Sequence, residues 1–257
     1  MSVKEQIEIG YFVYDLNEET RTAVVVGPND VVKTPSTVNI PNTVTFDRQN
    51  YTVTEIEYCA FLGCERLESI TIPDSVTKIG DGAFEGCTRL ESITIPDSVV
   101  AIGEGAFVNC NLESIVIPDS VTEIGDSAFE GCCGLKSITL PIGVTSIGWH
   151  AFKGCHSLEN ITIPNGVNEI WEEAFAGCRS LKSITIPDGV TIIGEYAFRW
   201  CRGLESIDLP DSITGIDESW FVDCNNLTEI NIPATEKAFP LWVSLMESMH
   251  ADIVNLV

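Results

Sequence analysis

Three kinds of residue in this sequence are equipped for chemistry: ten cysteines, three histidines and a large excess of carboxylates. Eight of the cysteines, Cys64, Cys87, Cys110, Cys132, Cys155, Cys178, Cys201 and Cys224, recur at intervals of 22 or 23 residues. Such regularity marks one structural position used repeatedly. Thiols stacked one strand spacing apart, with their side chains parallel, are badly disposed for an S–S bond. They are therefore expected to be reduced, small and buried. Zinc would need C-x2-C or Cys/His spacings, which neither the vicinal Cys132 and Cys133 nor the lone Cys59 supplies, so no metal or other cofactor is expected. His150, His156 and His250 fall in different positions of the repeat. No G-x-S-x-G, H-E-x-x-H, P-loop or G-x-G-x-x-G motif occurs between a strand and a helix. No residue is assigned a catalytic role, and a non-enzymatic protein is expected.

The carboxylates set the choice of partner. With 38 acidic against 14 basic residues the formal charge is -24, which repels phosphate backbones and anionic lipid surfaces, so nucleic acid is not an expected partner. No apolar run approaches the roughly 18 residues of a membrane span, and residues 1–10 carry charges where a secretory signal has an apolar core. Membrane insertion is not expected. The acidic residues also fall into columns: Asp81, Glu104, Asp126, Glu172, Glu195 and Glu218 share one position, and Asp74, Asp97, Asp119, Asp188 and Asp211 another. Carboxylates stacked about 5 Å apart repel one another and could recruit Ca²⁺ or a basic partner. Without a G-G-x-G-x-D calcium repeat, solvated turn formers are the simpler reading.

All these positions are defined by a repeat. Leu67, Leu90, Leu112, Leu135, Leu158, Leu181, Leu204 and Leu227 align, as do Phe61, Phe84, Phe107, Phe129, Phe152, Phe175, Phe198 and Phe221. The shared pattern is L-x-S-I-x-I-P-x-x-V-x-x-I-G-x-x-A-F-x-G-C-x-x, and it slips by one residue only before Leu112. Within one unit, Ile70 and Ile72 alternate with Thr71, the period of a strand with one buried face. Pro73 ends the strand and Asp74 and Ser75 turn the chain. Val76 and Ile79 point back inside along a second short extended stretch, and Gly80 permits a tight corner. Ala83 and Phe84 begin a brief helical or 3-10 turn closed near Gly86 and Cys87. One such coil cannot bury its own apolar side, so neighbours must stack into a common core and the ends need caps.

The predicted fold is thus a mainly β repeat solenoid in three parts. Residues 1–37 form an N-terminal β-hairpin cap, residues 38–233 the repeats, and residues 234–257 a C-terminal helical cap. The hairpin is read over residues 7–26, around the polar segment 17–20. Residues 46–51 are read as a polar loop inserted in the first coil. The C-terminal helix is read from Ala238, Trp242, Leu245, Met249 and Ile253 on one side, with Thr235 as N-cap and Pro240 in the first turn.

The consensus resembles the BspA-type, or treponemal-class, leucine-rich repeat, in which the unit carries an I-P-x-x-V-x-x-I-G-x-x-A-F-x-G-C core. The match covers about residues 38–233, in seven full units of the same phase. The resemblance implies a right-handed leucine-rich-repeat superhelix. It also implies a surface or secreted protein of the kind found on host-associated bacteria, adhering to host matrix proteins or other cells. An intracellular interaction scaffold of the same fold is the alternative, with a cytoplasmic location.

A protein ligand is the expected partner, and two surfaces are candidates for it. One is the outward face of the strands, where Ser137, Thr139, Thr162, Ser183 and Thr185 belong to two columns of small uncharged residues; such columns suit a stacked strand and also form a hydrogen-bonding platform. The other is a set of aromatic residues in positions that earlier coils fill with small or polar ones. Trp149 replaces Asp81, Trp171 replaces Gly80, Tyr196 replaces Gly82, Trp200 replaces Gly86 and Trp220 replaces Ala83. Neighbouring exposed aromatics make interaction patches. The opposing reading is packing against each other or beneath the C-terminal end, which weighs most on Trp200 and Trp220.

Overall fold

The computed structural model describes residues 6–213, 217–235 and 254–256. Each coil has three sides, and each side follows from a different part of the repeat. On the first, three-residue strands such as Ser137–Thr139 bury the central isoleucine and expose the residues on either side. Neighbouring strands pair in parallel and in exact repeat phase, Ile138 opposite Ile115 and Ile161. The Pro-Asp-Ser turn follows. Val76 N–H returns to the Pro73 carbonyl at 3.0 Å, while the turn serine reaches the previous coil, Ser98 Oγ donating to the Val76 carbonyl at 2.6 Å. Side-chain bonding of this sort is what favours serine in turns. On the second side run two-residue strands, Lys78–Ile79 opposite Ala101–Ile102 opposite Glu123–Ile124.

The third side is the spine. Phe84 N–H donates to the Ala106 carbonyl at 2.8 Å, and the same phenylalanine-to-alanine bond recurs from Phe61 to Phe175. Inside it the phenylalanine rings stack face to face, 5.2 to 6.0 Å apart from Phe61 to Phe221. Two positions per coil lie in the left-handed region, one occupied by Cys59, Gly82, Gly105, Ser127, His150, Glu173 and Tyr196, the other by Gly63, Gly86, Asn109, Gly131, Gly154, Gly177, Trp200 and Asp223. Alternation of hand interrupts a helical run, so the brief helices expected here are turns in most coils. Among the described residues, 3-10 geometry occurs at Val31–Lys33 and Glu218–Phe221.

Neither strand ladder is continuous. The first side is one six-stranded sheet up to Asn160–Thr162 and a separate four-stranded sheet from Ser183–Thr185 onward. Most other coils join here through bonds such as Glu159 N–H to the Lys136 carbonyl, but none links Lys182 N–H to the Glu159 carbonyl. The second side breaks between Glu123–Ile124 and Ser146–Ile147. There, Gly125 N–H bonds the Ile102 carbonyl and Thr122 N–H the Val100 carbonyl, yet the corresponding bonds from Gly148 to Ile124 and from Thr145 to Thr122 are not made. Ile124 and Ile161, at the two openings, are only half-buried where their counterparts are buried.

At the N-terminal end, Gln6–Ile9, Phe12–Asn17 and Thr22–Pro28 form an antiparallel meander. The hairpin read over residues 7–26 corresponds to its last two strands, joined by a turn in which Asn17 Oδ1 accepts from Glu19 and Thr20 N–H. The third strand lies parallel to Gln49–Ile56, and the Phe12 ring meets Phe61 edge-on at 6.1 Å. Residues 46–51, read as a polar loop, are instead the tip of a second hairpin. Thr43–Phe46 and Gln49–Ile56 are antiparallel strands closed by Asp47 and Arg48, both with positive φ. A two-residue turn of that hand matches the strand twist, so the polarity of the segment reflects turn chemistry. Of the expected C-terminal helix, Ala238, Trp242, Leu245, Met249 and Ile253 lie outside the described residues. Val254–Leu256, within the span expected to be helical, is a strand parallel to Glu229–Ile232, with Ile230 opposite Val254 and Ile232 opposite Leu256.

Candidate functional site

The five aromatic replacements separate into three environments. Trp220 is 3% exposed; its ring meets Phe221 edge-on at 6.2 Å, so it belongs to the core. Tyr196 and Trp200 are engaged with Arg199, whose guanidinium lies 5.1 Å from the tyrosine ring and 4.0 Å from the indole. The Trp200 indole N–H also donates to Asp223 Oδ2 at 2.9 Å. Stacking of this kind gives the guanidinium an aromatic partner and occupies one face of each ring, although Trp200 stays 38% exposed. Trp149 and Trp171 are placed differently. Their rings meet edge-on, with centroids 6.1 Å apart at 79°, and Trp149 is 52% exposed.

Their surroundings are charged. Trp149 stands in the acidic column between Asp126 and Glu172, and its backbone N–H donates to Asp126 Oδ1 at 2.9 Å. One position further on, Lys153 pairs with Glu173 at 2.5 Å and His150 approaches the same oxygen at 3.8 Å. Beside the acidic column lies an open groove of about 350 Å³, bordered by Lys78, Asp81, Glu104, Thr122, Glu123 and Ser146. It runs along the second side of the coil to the opening between Ile124 and Gly148.

On the strand face Ser137, Thr139, Thr162, Ser183 and Thr185 are all exposed. Ser137 and Thr139 sit in a continuous ladder, opposite Asn160 and Thr162. Ser183 and Thr185 lie across the opening, and Thr185 Oγ1 bonds Asp208 Oδ2 at 3.1 Å. A shallow groove of about 400 Å³ marks the separation, bordered by Asn160, Thr162, Asn165, Ser183 and Thr185.

The chemically reactive types are dispersed. The repeat cysteines are buried, each Sγ from Cys87 to Cys224 donating to the carbonyl of a phenylalanine 25 or 26 residues earlier. Cys133 is exposed, its Sγ 3.5 Å from His156 Nδ1. Burial, and then the charge of Arg179, hold His156 below the usual imidazole range. That pair was not singled out from the sequence, although the 23-residue spacing of Cys133, His156, Arg179 and Arg202 places them in one column. Among the described residues, no three His, Cys, Asp or Glu side chains converge as a metal site, since the carboxylates of a column stand side by side. Among the same residues no helix is long and apolar enough to cross a membrane.

Comparison with known proteins adds the family. A model described as BspA type leucine-rich repeat region matches in six copies over residues 54–180 and 122–242. Among solved structures, a leucine-rich repeat protein from Bacteroides ovatus is 28% identical, with a TM-score of 0.56 over 98% of this chain and 76% of that one. A leucine-rich cell surface protein from Faecalibacterium prausnitzii is 25% identical, with a TM-score of 0.38 over 91% of this chain and 96% of that one. A leucine-rich repeat protein from T. pallidum is 26% identical, with a TM-score of 0.36 over 89% and 85%. No curated protein matches. No enzyme family is indicated, and the chain belongs to the BspA-type leucine-rich repeat family, whose repeats generally serve as protein-interaction scaffolds.

Proposed function

We propose that this protein is a non-catalytic scaffold that binds a protein partner through the flank carrying Trp149 and Trp171. The observation that supports this most is the exposure of Trp149 beside Trp171, in positions that the other coils, apart from Tyr58 in the first, give to small or charged residues. Large exposed aromatics contribute little to a solenoid held together by its own phenylalanine stack, whereas they are common anchors in interfaces. Membership of the family supports display at the cell surface or secretion, with adhesion to host or matrix proteins as the role; an intracellular scaffold is the alternative compartment. Antibody labelling of intact cells, compared with permeabilised ones, tests location: labelling only after permeabilisation would move the protein inside.

The binding reading is tested by capture of matrix proteins, and in parallel of lysate proteins, on the parent chain and on a Trp149→Asp, Trp171→Gly variant. Both replacements are residues the repeat already uses in those positions. Loss of a partner by the variant, with its circular dichroism unchanged, is the expected result. The opened ladder between Thr162 and Ser183 supports a second reading, in which the strand face binds. A partner retained by the tryptophan variant but lost on Thr162→Arg or Ser183→Arg would favour it.

A further inference from the structure

We infer that the Trp149–Trp171 corner and the groove beside it accept a basic, extended protein segment, with an arginine or lysine side chain seated against the exposed indole. The inference rests on the binding reading above and specifies its partner. Three independent features of the same flank lead to it.

The first is the shape of the aromatic pair. Two indoles meeting at 79° make two walls of a corner, and the wall formed by Trp149 is open to solvent. A tryptophan face attracts cations more strongly than the other aromatic rings do. At Trp200, two coils beyond Trp149, the protein already satisfies such a face with its own Arg199 at 4.0 Å. Among the described residues no cation of the chain lies over the Trp149 ring, and Lys153, nearby, is bound to Glu173.

The second feature is charge. Asp126 precedes Trp149 by one coil and Glu172 follows it, while Asp81, Glu104 and Glu123 border the groove, which ends at Thr145 and Ser146 of the Trp149 coil, against the single cation Lys78. A cation seated on Trp149 therefore has carboxylates on both sides along the column, and its neighbours in sequence have more along the groove. The overall charge of -24 favours approach of a basic partner from any direction.

The third feature is the opened ladder. The Thr122 and Ile124 carbonyls and the Thr145 and Gly148 N–H groups lack the coil-to-coil bonds that their counterparts make, and residues 122–125 and 144–146 border the groove. Backbone groups in an interior ladder are ordinarily paired. The space between the facing groups holds only about 10 Å³, so they are met from the groove side, where a guanidinium or ammonium of the segment can donate to the two carbonyls.

The test uses the intact chain and two synthetic peptides of alternating glycine and arginine, one with every arginine replaced by citrulline, which keeps the shape and removes the charge. Calorimetry at low and moderate salt measures binding. The expected result is that the arginine peptide binds, that its affinity falls with salt, and that citrulline abolishes binding. The Trp149→Asp, Trp171→Gly variant is expected to weaken binding about thirtyfold or more, as for loss of an interface anchor. A Glu104→Gln, Glu123→Gln variant, which leaves both indoles in place, should weaken it less and flatten the salt dependence. Equal binding of the citrulline peptide would overturn the inference. So would arginine-peptide binding that survives the tryptophan variant, which would show diffuse charge attraction only. Capture of a partner that needs both tryptophans but carries no basic segment would leave the protein-binding function standing and refute this inference alone.

Discussion

The Sγ of Cys155 lies 3.2 Å from the carbonyl oxygen of Phe129 and donates to it, one coil back along the spine. The same carbonyl accepts the Cys132 N–H at 3.1 Å, so the thiol fills the second lone pair of an oxygen sealed in the core. This accounts for the residue type. The position must be small and apolar enough to be fully buried, yet a weak donor there satisfies a buried acceptor. The repeat cysteines are thus part of the backbone bonding of the spine.

Thiol reactivity should divide accordingly. Cys133 is exposed, Cys59 half-buried and the other eight buried. Titration of the native protein with an aromatic disulfide is expected to show one fast thiol, removed by Cys133→Ser, one slower thiol, and eight more only in denaturant. Fast reaction of most of the ten, or repeat-cysteine disulfides by mass spectrometry, would contradict this burial.

Alkali should unfold the protein through the same thiols. Burial raises Cys87, Cys110 and Cys155 far above their ordinary value and pushes Cys224 up to about 12. An unfolded thiol loses its proton near pH ~8.5, so above that pH the unfolded chain binds fewer protons than the folded one. Stability is complete below this value and falls as pH rises toward the folded pKa, by up to about 1.4 kcal/mol per pH unit for each thiol. Urea midpoints should drop steeply between pH 8.5 and 11, and less steeply in Cys155→Ala. A flat profile would show that the thiols ionise equally in both states.

Phe129→Ala tests the stack. The ring is 0% exposed and lies between Phe107 and Phe152, at 5.5 Å from each. Its removal should cost about 3–5 kcal/mol. Because each coil is stabilised by its neighbours, the loss should lower one cooperative transition throughout the solenoid. A midpoint change below about 1 kcal/mol, outside the range for a buried aromatic, would place the ring outside the load of the core.

Much of this fold is legible in the repeat, because each coil position is sampled several times. One phenylalanine or one Ile-x-Ile says little; eight phenylalanines at fixed spacing imply a stack. The sequence pattern fails where it is sampled once. Asp47 and Arg48 turn a hairpin that happens only in the first coil, and Val254–Leu256 pairs with a strand end that has no equivalent. The opened ladders were illegible for another reason: Thr122, Ile124, Thr145 and Gly148 are all acceptable repeat residues, and whether their backbones meet is decided by how coils tilt on one another. At the candidate site, unusual residue types identified Trp149, Trp171, Tyr196 and Trp200 together. Separating them needed the position of Arg199, which is itself an ordinary surface residue by sequence.

Trp200 provides the sharpest contrast with Trp149. It occupies a left-handed position, φ 61°, that glycine holds in five of the other coils with a described φ, and a non-glycine residue there costs about 1–3 kcal/mol. Against this stand the guanidinium over its ring, about 0.5–1 kcal/mol at an exposed site, and the exposed bond to Asp223, about 0.5–1.5 kcal/mol. The two sides nearly cancel, so Trp200→Gly should leave the urea midpoint within about 1 kcal/mol of the parent. Partner capture should also be unchanged, since Arg199 already occupies the cation-binding face of the indole. Trp149→Asp, by contrast, should keep stability and lose the partner. If Trp200→Gly abolished capture while the fold persisted, the binding flank would extend to the Arg199 cluster, and the assignment to the Trp149 corner alone would fail.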